Sequence, residues 1–215
     1  MMDPMEELFA RTSAQIVPGA FHLADWLTPT EQVMLGQACQ QWAAPPAGLR
    51  RLRVRNGQMS VQTMCLGWHW TPYRYTTHCI DTDNAPVKPF PAWLGDLGRR
   101  VVADSLGGTY QPDTALINWY EPTASMGLHQ DKDERSLAPV VSFSLGDACV
   151  FRFGNTENRS RPWTDVELKS GDAFVFGGPA RLAFHGVPKL LPGTAGGRWN
   201  ITLRESGLVR AVLSG

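Results

Sequence analysis

His129-Gln130-Asp131 and a distant His185 are the residues best equipped for chemistry in this chain. On an extended strand, positions i and i+2 point the same way, so His129 and Asp131 could offer an imidazole and a carboxylate to one point. A third ligand from His185 would complete the two-histidine, one-carboxylate face that leaves iron(II) with open positions. A hydrolytic zinc site uses similar ligands, so the triad alone does not fix the metal. Arg198-Trp199-Asn200-Ile201-Thr202-Leu203-Arg204 is the second anchor. Alternation puts Arg198, Asn200, Thr202 and Arg204 on one face, and two arginines turned into a barrel are costly to bury without anions. The guanidinium fork suits carboxylates, which tilts the reading toward iron with a dicarboxylate cosubstrate. Asn118 and Tyr120 share another strand face and could add hydrogen bonds to the same ligand.

Each of these residues has a plainer explanation. His185 could be a histidine at the core edge bonded to backbone, and the Arg198–Arg204 face could lie outward in solvent. The acidic cluster Asp131, Asp133 and Glu134 argues against a purely structural role, because such neighbours repel unless a cation or basic partner is present.

The surrounding sequence must bring these groups together. Residues 15–23 read as a short strand broken at Pro18-Gly19. Thr28-Pro29-Thr30-Glu31 has a cap, a proline at N1 and a glutamate three after the cap, which predicts a helix to about Trp42, closed by Pro45-Pro46. A second amphipathic helix runs from Pro91 to Leu106 and ends at Gly107-Gly108. From there the pattern is strands separated by turn residues: 115–120, 140–145, 149–153, 166–168, 173–176, 182–185 and 199–203. Helices first and short strands after predict a mostly β, α+β fold, a double-sheet roll backed by helices. The order does not fit a doubly wound α/β sheet. Residues 47–90 look different, with short extended pieces, Trp68, Trp70, Tyr73 and Tyr75, and an arginine run from Arg50 to Arg55. Arg51, Arg53 and Arg55 would share a strand face, and an edge strand guarded by charge is the plain reading.

Composition narrows the class further. The 215 residues are 43% hydrophobic and carry 20 basic and 20 acidic side chains, for a net charge of zero. That removes any global electrostatic case for nucleic-acid binding and leaves only local patches. The four cysteines, Cys39, Cys65, Cys79 and Cys149, form no CxxC pair, which fits a reduced compartment better than a disulfide scaffold. The first residues lack the features of a signal peptide, and no apolar run approaches a membrane span. The expectation is a soluble, cytoplasmic monomer.

The stretches PDTALINWY, GLHQDKDE, APVVSFSLG, GDAFVFGG, ARLAFHGV and GRWNITLR together resemble the AlkB family of iron(II)- and 2-oxoglutarate-dependent dioxygenases, in particular bacterial members that repair alkylated nucleic acid. The resemblance covers roughly residues 15–205. It implies a double-stranded β-helix (jelly roll) core with an N-terminal nucleotide-recognition lid. The expected layout is a flexible N-terminus (1–14), a strand, helix and lid segment (15–90), and a helix plus catalytic core (91–215), all in one compact domain. It implies iron ligation by His129, Asp131 and His185, and 2-oxoglutarate binding by Asn118, Tyr120, Arg198, Asn200 and Arg204. Asp133 matches an acid that contacts the exocyclic amino group of the damaged base. Trp68 matches a residue that stacks on the base, and Tyr75 one that touches a phosphate. Lys132 and Arg159 fall near positions that contact nucleic acid. The implied activity is oxidative demethylation of N1-methyladenine and N3-methylcytosine in single-stranded DNA and in RNA, consuming O2 and releasing formaldehyde, succinate and CO2. The alternative is an oxygenase of the same fold acting on a protein, lipid or small molecule. The chain departs from the family pattern at Phe176, at Trp119 and in a shortened lid.

Overall fold

The computed structural model describes residues 11–54 and 57–208. Most of the expected flexible N-terminus, together with Arg55, lies outside the described residues. Fourteen strands and two helices occur in this span. The strands are β1 Ala14–Val17, β2 Ala20–Leu23, β3 Arg50–Val54, β4 Gly57–Leu66, β5 His69–Thr71, β6 Arg74–Thr76, β7 Thr114–Tyr120, β8 Met126–His129, β9 Val140–Gly146, β10 Cys149–Phe153, β11 Thr164–Leu168, β12 Ala173–Phe176, β13 His185–Leu190 and β14 Arg198–Arg204. The helices are α1 Pro29–Ala43 and α2 Ala92–Ala103. None of the helices is long and apolar enough to cross a membrane.

The last eight strands form the roll, divided four and four. β12, β9, β14 and β7 lie in one sheet, and β11, β10, β13 and β8 form the facing one. The larger sheet is extended by β2 and β1 beyond β12, and by β4 and β3 beyond β7, making eight strands. Strands from residues 15–90 therefore pair directly with strands of the 91–215 segment. Only β5 and β6 stand apart, as a two-stranded hairpin over the mouth of the roll.

Alternation on the larger sheet separates two cores. Ile117 of β7, Phe143 of β9, Val175 of β12, and Ile201 and Leu203 of β14 face outward and pack under the helices. There they meet Leu35 and Cys39 of α1 and Leu94, Leu97, Val101 and Val102 of α2. The capping box expected for α1 is closed, with Thr28 Oγ1 accepting from Glu31 N at 3.3 Å and Glu31 accepting from Thr28 N at 2.9 Å. The second core lies between the sheets, where Phe151, Phe153, Phe174 and Phe176 pack together. The remaining inward face of β7 and β14 is polar, and it lines the site.

Two local readings change. His185 opens β13 instead of closing the strand expected at 182–185, because residues 178–183 form a tight turn and Phe184 is tied to Asn155 O at 2.8 Å. β8 ends at His129, so Asp131 lies in the loop beyond the strand. At the sheet edge, β3 carries Arg51 on Glu121 at 2.6 Å and an exposed Arg53. Arg50 faces the other way and is buried, paired with Asp81 at 2.8 Å.

Candidate active site

Antiparallel pairing of β13 with β8 sets His185 opposite His129, and the two rings lie 4.5 Å apart. The strands can approach this closely because residue 186 is glycine. A Cβ there would stand 2.6 Å from Met126 O. Asp131 reaches the pair from its loop, held by its backbone: its carbonyl accepts from Arg181 Nη1 at 2.5 Å. Its Oδ1 lies 3.8 Å from His129 Nε2, and its Oδ2 lies 3.7 Å from His185 Nε2. All three ligand atoms fall within 4.8 Å of one another. The expected grouping is present, although strand alternation is not what orients Asp131.

The donor set fits a divalent iron. His129 Nδ1 and His185 Nδ1 each sit 3.0 Å from a backbone carbonyl, of Gly127 and of Ala183. Donation at Nδ1 fixes the tautomer that leaves the Nε2 lone pairs turned toward Asp131. Asp131 Oδ2 is buried and has no hydrogen-bond partner, an arrangement that costs stability unless a cation meets it. Burial opposes the charge on Asp131, but Arg204 and then the two histidines hold its carboxyl well below the usual range. Burial, reinforced by His129, lowers His185 to about 4, so it is a neutral ligand at physiological pH.

The two arginines of β14 are not equivalent. Arg204 Nη2 pairs with Asp131 Oδ1 at 2.7 Å and its Nη1 with Glu134 at 3.2 Å. Arg198 is 1% exposed, and among the described residues no acidic side chain meets it. Its Nη2 donates to Ser144 Oγ at 2.8 Å, and its guanidinium lies 5.3 Å from the Tyr120 ring. Its Nε and Nη1 are buried without partners. Asn118, Tyr120, Asn200 and Thr202 line the same small cavity, which also includes the iron ligands. Asn200 Nδ2 donates to Ser142 Oγ at 2.6 Å, and Thr63 Oγ1 donates to Asn118 Oδ1 at 2.7 Å. A polar pocket with an unpaired buried guanidinium beside an iron triad suits a bidentate acid that also carries a carboxylate at its far end.

A larger cleft of about 610 Å³ opens onto the His129–Asp131 edge of this cavity. Asp133, Lys132 and Arg159 line it, as do Trp70, Pro72 and Tyr73 of the hairpin. Trp68 and Tyr75, which the resemblance assigns to the base and to a phosphate, are not among the residues that line this cleft. Trp68 is 8% exposed and lies outside the cleft lining, with its indole Nε1 donating to Asp113 at 3.2 Å. Gly67, at φ 77°, turns the chain just before it, and Trp70, two residues on, lines the cleft. Tyr75 turns inward, and its hydroxyl donates to Glu134 at 2.5 Å. Its phenol is directed at a buried acid instead of solvent. Trp119 packs against Trp199, with ring centroids 4.7 Å apart, on the face of the sheet opposite the site. Phe176 stays in the cavity, 4.9 Å from the His185 ring.

Trp70, Tyr73 and Glu134 stand out in the sequence only as members of an aromatic and an acidic cluster, with no role assigned, and Arg181 does not stand out. Glu134 receives Tyr75, Arg181 and Arg204 together. Arg181, four residues before His185, also bonds Ala138 O at 2.7 Å and so fixes the whole 131–138 loop. The only sequence signal for it is an arginine inside an otherwise apolar stretch.

A family model described as the 2OG-Fe(II) oxygenase superfamily matches residues 19–204. With the triad and the roll, this places the chain among iron(II)/2-oxoglutarate-dependent dioxygenases. It is 39% identical over 201 residues to an alpha-ketoglutarate-dependent dioxygenase AlkB homolog of Caulobacter vibrioides, covering 88% of this chain and 86% of that protein. It is also 34% identical over 221 residues to the DNA N(6)-methyladenine demethylase ALKBH1D of Arabidopsis thaliana, but spans only 50% of that longer protein. The solved structure of OsALKBH1 superposes with a TM-score of 0.84 at 32% identity over 90% of this chain. The chain belongs to the AlkB family.

Proposed function

We propose that this chain is an oxidative demethylase of N-alkylated bases in nucleic acid, taking N1-methyladenine and N3-methylcytosine in single-stranded DNA and in RNA. The observation that carries the reading is the cleft. Its aromatic walls, Trp70 and Tyr73, and the carboxylate of Asp133, which no arginine or lysine pairs among the described residues, line the cleft beside the iron triad. A volume of about 610 Å³ accommodates a nucleobase, and stacking contributes about 1–3 kcal/mol per base. A base inside a duplex cannot reach a recessed metal, so the substrate must be flipped out or already single-stranded. Asp133 accepts from the exocyclic amino group and favours the positive charge of N1-methyladenine and N3-methylcytosine.

The remaining roles follow from position. His129, Asp131 and His185 would hold the iron. Arg198, with Asn118, Tyr120 and Asn200, would fix the carboxylates of 2-oxoglutarate. Iron with 2-oxoglutarate and O2 supplies an oxidant for the N-methyl group, the cosubstrate leaving as succinate and CO2 and the methyl carbon as formaldehyde. The protein contributes alignment and exclusion of water. Lys132 and Arg159, both exposed at the rim of the cleft, suit phosphates. Tyr75 acts as an anchor of the hairpin on Glu134 on this reading. Every group comes from one chain, so a monomer suffices, and four free, buried cysteines suit a reducing cytoplasm.

The test is aerobic incubation with iron(II), ascorbate, 2-oxoglutarate and single-stranded oligonucleotides bearing one N1-methyladenine or N3-methylcytosine. Loss of one CH2 from the oligonucleotide mass supports the reading. Succinate formed with every oligonucleotide mass unchanged would move the search to protein, lipid or small-molecule substrates.

A further inference from the structure

Trp70 lies on β5, its side chain lining the cleft. Its indole Nε1 donates to Asp133 Oδ2 at 2.8 Å, and Tyr73 N donates to the same oxygen at 3.2 Å. Among the described residues no protein donor reaches Asp133 Oδ1. One carboxylate oxygen is thus held by the hairpin and the other has no protein donor, on a side chain that lines the cleft. The hairpin is itself anchored. Trp70 O accepts from Arg50 Nη2 at 2.5 Å, and Trp70 N lies 3.4 Å from Cys65 Sγ. Arg50 is buried and paired with Asp81, which also meets His69 Nε2 at 2.5 Å. Trp70 and Tyr75 pack against Cys65, Val87 and Leu116. The indole is therefore a fixed part of the wall and not a mobile flap.

Building on the demethylase reading, we propose that Trp70 is a specificity-determining residue: it walls the base cleft and fixes the edge of Asp133 that reads the base. A carboxylate locked as an acceptor welcomes a base that presents an amino group and a positive charge. It repels a base that presents a carbonyl oxygen at the same place. N3-methylcytosine and N3-methylthymine differ in this way, with an N4 amino group and a cation in the first, an O4 carbonyl and no charge in the second. Without the Nε1 donor the carboxylate is free to turn, and its preference between the two weakens.

The experiment compares wild type with Trp70→Phe, Trp70→Ala and Trp68→Phe on single-stranded oligonucleotides carrying one N3-methylcytosine or one N3-methylthymine, with kcat and KM measured for each. Trp70→Phe keeps an aromatic wall and loses only the donor. It should lower the ratio of kcat/KM for cytosine over thymine lesions by about tenfold, the effect of one hydrogen bond to a charged group. The loss should fall mainly on KM for the cytosine lesion. Trp70→Ala should raise KM for both lesions by about a further tenfold through lost stacking. Trp68→Phe should keep the wild-type ratio. A Trp70→Phe enzyme with the wild-type ratio, or a Trp68→Phe enzyme with the same selective loss, would overturn the assignment to Trp70 while leaving the demethylase reading intact. A wild type that forms succinate but demethylates neither lesion would overturn the demethylase reading and this one with it.

Discussion

Arg198→Met separates the function of a buried charge from its cost. Arg198 is 1% exposed, with Nε and Nη1 unpartnered and only Ser144 accepting from it. If those two donors wait for a carboxylate of 2-oxoglutarate, each contributes about 1.5 kcal/mol at the low end for a charged hydrogen bond. Their removal should weaken 2-oxoglutarate by about 3 kcal/mol, or roughly 150-fold in Kd. Methionine is similar in length and apolar, and replacing an uncompensated buried charge with such a residue is often neutral or stabilising by about 1–4 kcal/mol. The variant without cosubstrate should therefore melt no lower than wild type, while the rise in Tm on adding 2-oxoglutarate disappears. Calorimetric titration and thermal melts with and without 2-oxoglutarate, iron held constant, read both halves. Unchanged 2-oxoglutarate affinity would refute the assignment of these donors. A variant destabilised by several kcal/mol would show that Arg198 is paired within the protein.

Asp131→Ala should abolish turnover and also destabilise the fold by about 3–5 kcal/mol, because it strips Arg204 of one of its two acidic partners in a buried site; a variant that retains succinate formation would remove Asp131 from the iron site. Thr28→Ala opens the capping box of α1 and should cost about 1 kcal/mol in denaturant unfolding, with activity unaffected, since α1 packs on the outer face of the sheet. In the metal-free protein, His185 has a folded pKa lowered to about 4 from an ordinary value of 6.5. The unfolded state therefore takes up a proton first on acidification, and the stability contributed by neutral His185 is present above pH 6.5 and lost as pH falls toward 4, by roughly 3 kcal/mol at most. His185→Gln should flatten that part of the profile, and an equally steep slope in the variant would assign it to another group.

Much of the site was legible because chemistry and periodicity coincide on β14. One alternation there sends Trp199, Ile201 and Leu203 to the helices and Arg198, Asn200, Thr202 and Arg204 to the cavity, with Asn118 and Tyr120 opposite on β7. The capped start of α1 was legible for a similar reason, since all its signals lie within four residues. What escaped depends on distant contacts. Asp131 sits past the end of its strand, held by Arg181, and no local pattern encodes that bond. The lid aromatics were visible as a cluster, but which indole lines the cleft depends on distant partners, Asp113 for Trp68 and Asp133 for Trp70. Nor does spacing reveal that Arg204 is occupied by acids while Arg198 is not, a distinction that only tertiary packing draws.

The most direct test of the central claim is the coupling ratio between cosubstrate and methyl group. Succinate and formaldehyde would be counted in the same reaction, with and without an oligonucleotide carrying N3-methylcytosine. The account predicts that the methylated strand accelerates succinate formation and that each additional succinate is matched by one formaldehyde. Succinate that rises with no formaldehyde, or that ignores methylated strands altogether, would contradict it.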